Sequence, residues 1–284
     1  MRSDPGPVDA AELPALLDLA RTAASAAGEL VHHRRPARVT VAATKSSPTD
    51  VVTEMDQAAE QLLRDLLSQA RPDDGVLGEE AGLQPGTSGL TWVLDPIDGT
   101  VNYLYGLLPY AVSVALVSGD PMEDGGWQPL VGCVHAPATG QIWTAAAGLG
   151  AWLDGRSLRI PPSPALDRAL IGTGFGYQSD RRRSQARVLA ELLPQIRDVR
   201  RMGSAAIDIC LVAGGQLDAY YERGVHVWDV AAAALVLTEA GGRLRGIDGR
   251  PPSEYLTIAA AAPLADQLAE VLSGLGAGRD SGRA

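Results

Sequence analysis

Asp95 and Asp98 stand three positions apart, directly after the run Thr91-Trp92-Val93-Leu94, with Pro96 and Ile97 between them and Gly99-Thr100 behind. An apolar, β-prone run that meets a carboxylate and then a breaker puts that carboxylate at the end of a buried strand. Pro96 has no N–H and biases Asp95 to extended backbone, so the strand is expected to end there. A turn at this point can aim both carboxylates at one spot and expose the Ile97 carbonyl. Carboxylates and a carbonyl are hard oxygen donors that suit Mg²⁺ or Mn²⁺ better than zinc. The same residues also make an ordinary Asp-rich turn leading into a helix cap, which is the competing reading.

Other acids sit at places where structure alone could explain them. Asp56 follows Thr53 by three positions, the spacing of a helix N-terminal box. Glu79 and Glu80 follow Gly78 at the end of a short apolar run; adjacent acids on a loop are usually just solvated. Asp229, after Trp228 and before an Ala-rich apolar run, reads either as an N-cap or as a metal ligand at a helix start that also faces an anion. Gly203-Ser204-Ala205 opens another helix, and Gly99-Thr100 could open a third. Small residues at such starts let backbone N–H groups approach a phosphate or a sugar hydroxyl.

The elements needed to position these groups follow from periodicity. Residues 12–33 carry apolar side chains on one helical face, with Pro14 in the first turn. Residues 34–43 read as a loop or short edge strand. A helix is expected from Thr53 to Ala70 with Met55, Ala59, Leu62, Leu63 and Leu66 inward, then a turn and short strand over 72–81 and a flexible loop over 82–89. Four apolar or alternating runs at 110–118, 130–135, 141–147 and 151–160 read as an antiparallel meander, the last turned at Asp154-Gly155. Pro161-Pro162-Ser163-Pro164 is the best linker, dividing a helix and antiparallel-sheet domain (1–160) from an α/β domain (161–284). In the second part strands at 169–175, 199–202, 217–221, 243–247 and 256–261 alternate with helices ending near 196, 213, 240 and 275, with a polar loop at 177–183 bearing Arg181, Arg182 and Arg183. Alternation of this kind predicts a three-layer α/β unit. No sequence repeat is present.

Composition limits the rest. The chain has 284 residues, 46% hydrophobic and 20% charged, with a formal net charge of −10. That describes a folded, soluble protein of one large or two smaller domains. The negative balance argues against a general nucleic-acid grip. No apolar run approaches a membrane span, and the acidic N-terminus lacks an export signal, so a cytoplasmic protein is expected. Cys133 and Cys210 lie in apolar contexts without metal spacing and read as buried free thiols in a reducing compartment.

Taken together, these blocks resemble the inositol monophosphatase family of Mg²⁺-dependent, lithium-sensitive phosphatases. One family signature stands as Trp92-Val93-Leu94-Asp95-Pro96-Ile97-Asp98-Gly99-Thr100-Val101-Asn102, and another as Trp228-Asp229-Val230-Ala231-Ala232 with Glu239-Ala240-Gly241-Gly242. Lys45-Ser46-Ser47-Pro48 with Asp50 and Asp56, Gly78-Glu79-Glu80, Gly203-Ser204-Ala205 and Asp218-Ala219-Tyr220-Tyr221-Glu222 complete six blocks in order. The resemblance spans residues 12–270 and implies a layered αβαβα sandwich.

It also implies roles. Glu79, Asp95 and the Ile97 carbonyl would bind one Mg²⁺, and Asp95, Asp98 and Asp229 a second; Glu79 would reach a third through water. Asp56 would orient Thr100 and, with Glu79, position and deprotonate the attacking water. The Gly99 and Thr100 amides would hold phosphate. Asp98, Asp229, Gly203, Ser204, Ala205 and Glu222 would contact substrate, the last four at its ring hydroxyls, and Lys45 would lie on a loop over the site. Ser204 stands where threonine is common. Mn²⁺ would substitute, Li⁺ would inhibit, and a homodimer is implied.

The expected activity is Mg²⁺-dependent hydrolysis of myo-inositol 1-phosphate and related polyol phosphates, with no direct nucleic-acid or membrane partner. Rival substrates are histidinol phosphate, fructose 1,6-bisphosphate and 3′-phosphonucleotides. The last two need a basic pocket for a second anion, which Glu222 opposes. A non-catalytic regulatory binding protein on the same fold is the reading from another class. The arginines at 181–183 could meet a second phosphate, another subunit or only water.

Overall fold

The computed structural model describes residues 8–36, 39–45, 47 and 51–278. Ser46, Pro48 and Asp50 of the first block therefore lie outside the described residues. In chain order the elements are α1 (Leu13–His33), β1 (Val41–Thr44), β2 (Val51–Thr53), α2 (Glu54–Ala70), β3 (Gly75–Gly78), β4 (Gly82–Gln84), β5 (Leu90–Asp98), α3 (Thr100–Tyr105), β6 (Ala111–Gly119), β7 (Trp127–Ala136), β8 (Gln141–Ala146), β9 (Gly150–Leu153), β10 (Arg156–Ser157), β11 (Leu170–Thr173), α4 (Ser179–Leu192), β12 (Asp198–Arg200), α5 (Ala205–Ala213), β13 (Ala219–Glu222), α6 (Val227–Glu239), β14 (Arg243–Arg245), β15 (Thr257–Ala260) and α7 (Ala262–Gly274).

Among the described residues the strands form an eight-stranded sheet in the order β10-β9-β8-β7-β6-β5-β3-β4, a five-stranded sheet in the order β12-β11-β13-β15-β14, and the hairpin β1-β2. The large sheet is the expected meander extended by β5, with one parallel pair, β3 with β5, inside an otherwise antiparallel array. The small sheet is parallel across β12, β11 and β13 and antiparallel across β13, β15 and β14. Helices α1 and α2 cover one face of the large sheet. Helices α5 and α6 lie between the sheets, α6 against β5 to β9 and α5 against β11, β13 and β15 as well. Helix α7 packs on β14 and β15, with α4 beside it. The result is an αβαβα sandwich, as expected.

Each interlayer space holds an apolar cluster. Ala20, Ala24, Leu63, Trp92 and Val114 fill the first, Trp143, Cys210, Val212, Tyr220 and Val236 the central one, and Ile171, Leu192, Ile258 and Leu268 the third. The central layer explains the Ala-rich sequence of α6. Ala231, Ala232, Ala233 and Ala234 let the helix approach both sheets. A Cβ on Gly132 of β7 would lie 2.8 Å from the Ala232 carbonyl oxygen.

Several local expectations need correction. Pro96 does not end β5. The ladder slips between Asp95 and Asp98, whose partners on β6 are Ser113 and Ala111, so the proline sits in a bulge. Residues 82–84 form β4 rather than loop, because Gly82 at φ 70 turns the chain back along β3. The inward face of α2 is Asp56, Ala59, Glu60, Leu63 and Leu67, while Met55, Leu62 and Leu66 are half-buried; hydrophobicity alone could not reveal a face that buries two acids. Arg181, Arg182 and Arg183 lie in the first turns of α4, not in a loop, with Asp180 matching the helix dipole.

Candidate active site

The parallel pairing of β3 with β5 matches Gly78 with Leu94, so the next residues of both strands, Glu79 and Asp95, emerge side by side. The Glu79 amide donates to the Leu94 carbonyl at 3.2 Å, which fixes that register. In α/β sheets, sites form at the carboxyl ends of parallel strands. In the β5 bulge, Asp95 Oδ1 accepts from the Ile97 amide at 3.0 Å. Three residues later Asp98 Oδ2 accepts from Ser204 Oγ at 2.6 Å and from the Ala206 amide at 2.7 Å, tying the bulge to the start of α5.

Asp229 comes from the other half of the chain. It is the third residue of α6, not its N-cap; its Oδ2 accepts from the amide of His226, which holds the cap position, at 2.6 Å. One carboxylate oxygen from each of Asp95, Asp98 and Asp229 lies within 4.8 Å of the others. Glu79 adjoins Asp95 but stands outside this group, where its Oε1 accepts from Lys45 Nζ at 2.8 Å. The same ammonium bonds Glu80 Oε1 at 2.7 Å.

Asp56 closes the helix box that its spacing from Thr53 predicts, and it also meets Thr100, the pairing that the family resemblance implies. The Asp56 carboxylate accepts from the Thr53 amide at 2.8 Å and from the Thr53 hydroxyl, closing the capping box of α2. Its other oxygen lies 3.2 Å from Thr100 Oγ1, which is also 3.0 Å from the Ile97 carbonyl oxygen. Gly99, at φ 101, caps the short α3; a side chain there would meet the Pro109 carbonyl at 2.9 Å.

Burial makes these acids costly to ionise. It pushes Asp95 and Asp229 well above the ordinary carboxylate range; the charges of Glu79 and Asp98 add to both, and that of Asp229 adds to Asp95. Burial raises Asp98 to about 6, against the hydrogen bonds from Ser204 and Ala206. It raises Asp56 to about 6 and Glu80 to about 7. For Lys45 burial acts downward, but Glu79 and Glu80 outweigh it and hold the ammonium charged. Converging buried carboxylates beside a backbone carbonyl are relieved by a divalent cation, and an all-oxygen donor set fits Mg²⁺ or Mn²⁺.

Lys45, Glu79, Asp95, Ile97, Asp98 and Asp229 line a cavity of about 320 Å³ together with Gly99, Thr100, Gly203, Ala205, Glu222, Arg181 and Arg201, while Asp56 and Glu80 stand behind its wall. Ser204 does not line it. Its hydroxyl donates to Asp98 and accepts from the Ile207 amide at 3.3 Å, so it serves as N-cap of α5. Glu222 lies in the wall, its Oε2 accepting from the Tyr220 hydroxyl at 2.8 Å, and burial raises it to about 7.

Sequence reasoning missed Glu60. This buried carboxylate accepts from the amides of Glu80 at 2.8 Å and Ala81 at 2.9 Å and from Arg64 Nε at 2.9 Å, so it holds the turn that presents Glu79. The available signal was its position four residues after Asp56, on the same helix face. Asp208 and Arg201 were missed as well, and nothing in the sequence marked them.

A model described as the inositol monophosphatase family matches residues 12–275. The chain belongs to the inositol monophosphatase family. "Inositol-1-monophosphatase SuhB" of Mycobacterium tuberculosis (strain ATCC 25618 / H37Rv) is 48% identical over 238 residues, covering 80% of each chain. "Nus factor SuhB" of Xylella fastidiosa is 37% identical over 276 residues, covering 94% of this chain and 97% of the relative. The crystal structure of the extragenic suppressor protein suhB from Bartonella henselae superposes with a TM-score of 0.82 at 29% identity, over 91% of this chain and 98% of that one. Membership in this family supports a phosphatase, and the Asp95–Asp98–Asp229 group is one that could hold its metal. No helix among the described residues is long and apolar enough to cross a membrane.

Proposed function

We propose that this chain is a Mg²⁺-dependent phosphomonoesterase that releases inorganic phosphate from myo-inositol 1-phosphate and related polyol phosphates. The observation that carries the reading is the convergence of Asp95, Asp98 and Asp229 on one cavity, with Glu79 and the Asp56–Thr100 pair beside it. Asp95, Asp98, Asp229, Glu79 and the Ile97 carbonyl would hold the ions. When bound, divalent cations neutralise a phosphate dianion and lower the pKa of a coordinated water.

The remaining work falls to the chain's own residues. Thr100 Oγ1 lies between Asp56 and the Ile97 carbonyl, so its hydroxyl can orient a water while Asp56 or Glu79 accepts the proton. The Gly99 and Thr100 amides would hold the phosphate oxygens. Water oxygen then adds to phosphorus as the ester P–O bond breaks, and the alcohol leaves with a proton. The test is a panel of phosphomonoesters with Mg²⁺. Release from inositol 1-phosphate well above release from histidinol phosphate and 3′-phosphonucleotides supports the polyol assignment; the reverse order discards it.

A second reading has its own support in the relative named Nus factor SuhB. It casts the chain as a partner of transcription machinery, with or without catalysis. If the purified protein releases no phosphate from any monoester with Mg²⁺, that reading takes precedence.

A further inference from the structure

Asn102 closes the signature run that begins at Trp92, and the proposed chemistry does not use it. Its side chain is buried. Nδ2 donates to the Pro109 carbonyl at 2.6 Å and to the Met202 carbonyl at 2.8 Å. One carbonyl lies on the loop before β6 and the other on the loop between β12 and α5. A primary amide has two N–H hydrogens, and both are engaged here.

The two loops meet closely. A Cβ on Gly203 would lie 2.8 Å from Asn102 Nδ2, and one on Gly99 would lie 3.0 Å from the Gly203 carbonyl oxygen. Gly99 and Gly203 have φ of 101° and 90°, so two left-handed glycines abut with the amide beside them.

This contact joins two parts of the cavity that the chain does not otherwise link. The Gly99–Thr100 turn follows β5 of the large sheet, and the Gly203–Ala205 wall follows β12 of the small one. Gly99, Thr100, Gly203 and Ala205 all line the cavity. Asp98 grips the far end of the wall at Ser204 and Ala206, and Asn102 grips the near end at Met202. Asp98 is also a proposed ion ligand, whereas Asn102 bonds backbone carbonyls alone among the described residues.

We infer that Asn102 is a positioning residue that sets the spacing between the phosphate-holding turn and the Gly203–Ala205 wall, and thereby the recognition of the alcohol half of the ester. This rests on the phosphomonoesterase reading and adds to it a residue that acts on binding rather than on the reacting atoms. The experiment compares myo-inositol 1-phosphate with phenyl phosphate, whose ring offers no hydroxyl to the wall. Kinetic constants with Mg²⁺ are measured for wild type, N102L and N102S. Leucine keeps the approximate shape and no donor, and serine keeps one donor.

The expected result is an inositol-ester KM raised about tenfold in N102L and less in N102S, with the phenyl-ester KM and both kcat values moved less than about threefold. Hydrogen exchange should quicken over residues 202–207 in both variants and stay unchanged in α1. A fold-wide defect would instead weaken both esters alike. Equal changes for the two esters, an unchanged inositol-ester KM, or unchanged exchange over 202–207 overturns the assignment. If N102L fails to fold, the same criteria applied to N102S decide. If wild type hydrolyses neither ester, the phosphatase reading fails by itself. Calorimetry of both esters with Ca²⁺ then decides the role of Asn102: weaker binding of the inositol ester alone in N102S upholds it, and equal weakening, no weakening or no wild-type binding removes it.

Discussion

Asp95, which we propose as an ion ligand, is a buried acid whose charge is costly for the fold. Its charge is opposed by burial and by Glu79, Asp98 and Asp229. Asp95→Asn is therefore expected to lower kcat/KM by about a hundredfold or more, through lost ion binding. The same change should raise the melting temperature of the EDTA-treated protein by about 2 °C. Scanning calorimetry with and without Mg²⁺ separates the two effects, and a lower melting temperature in EDTA would refute the repulsion argument. Asp208 makes a cleaner pH case. Its Oδ1 is buried without a hydrogen bond, and burial, with Glu222 and Asp98, raises it to about 9 from an ordinary 3.8. Between those values the native state binds more protons than the unfolded chain, so the contribution is full below 3.8 and lost as pH rises through 9. Asp208→Asn should thus gain on wild type with rising pH, by about 1 kcal/mol or more at pH 8.5 and less at pH 5, in urea melts. A pH-independent difference would refute it. At this scale the acids in the signature blocks were legible because type and spacing carry the signal. Asp208 and Arg201 were not, because what singles them out is the absence of a partner, which only the packed chain defines.

Elements position the site through contacts that periodicity does not report. The turn between β3 and β4 is held by Glu60, so Glu60→Gln replaces an oxygen acceptor with a donor facing the Glu80 or Ala81 amide. Mg²⁺ affinity is expected to fall about tenfold, the usual scale for a residue supporting a ligand. Isothermal titration reads that directly, and an unchanged affinity would mean the turn holds its shape alone. Helix α6 offers a second test. Gly132→Ala would press a methyl to 2.8 Å from the Ala232 carbonyl, one turn past Asp229. A loss of about 1–3 kcal/mol in chemical denaturation is expected. Helix ends and most strands were legible here, since Thr53, Pro14 and the Gly214-Gly215 and Gly241-Gly242 stops are local signals. The β5 bulge was not, because a proline in a strand and a proline ending one read alike. The true face of α2 was hidden because it buries acids.

At the scale of the molecule, the five layers were implied by the family resemblance, while the pattern itself gave an antiparallel meander before residue 161 and an alternating α/β unit after it, and we propose residues 1–160 and 161–284 as two units on that ground. The central layer was not legible, because nothing local says that α5 and α6 pack on both sheets. That layer is what brings Asp229 to Asp95 and Asp98. An ion seated among them would link β5 in the large sheet to the first turn of α6, well over a hundred residues later. Ligands that bind only the native state stabilise it by about 2.7 kcal/mol at a hundred times their Kd. Mg²⁺ should therefore raise the melting temperature, and hydrogen exchange should slow in β5 and α6 together. Slowing in one element alone would show that the ion does not bridge them. A cation in that place would act as a removable rivet through the sandwich: free magnesium in the surrounding fluid would then govern not only turnover but also how long each molecule survives proteolysis.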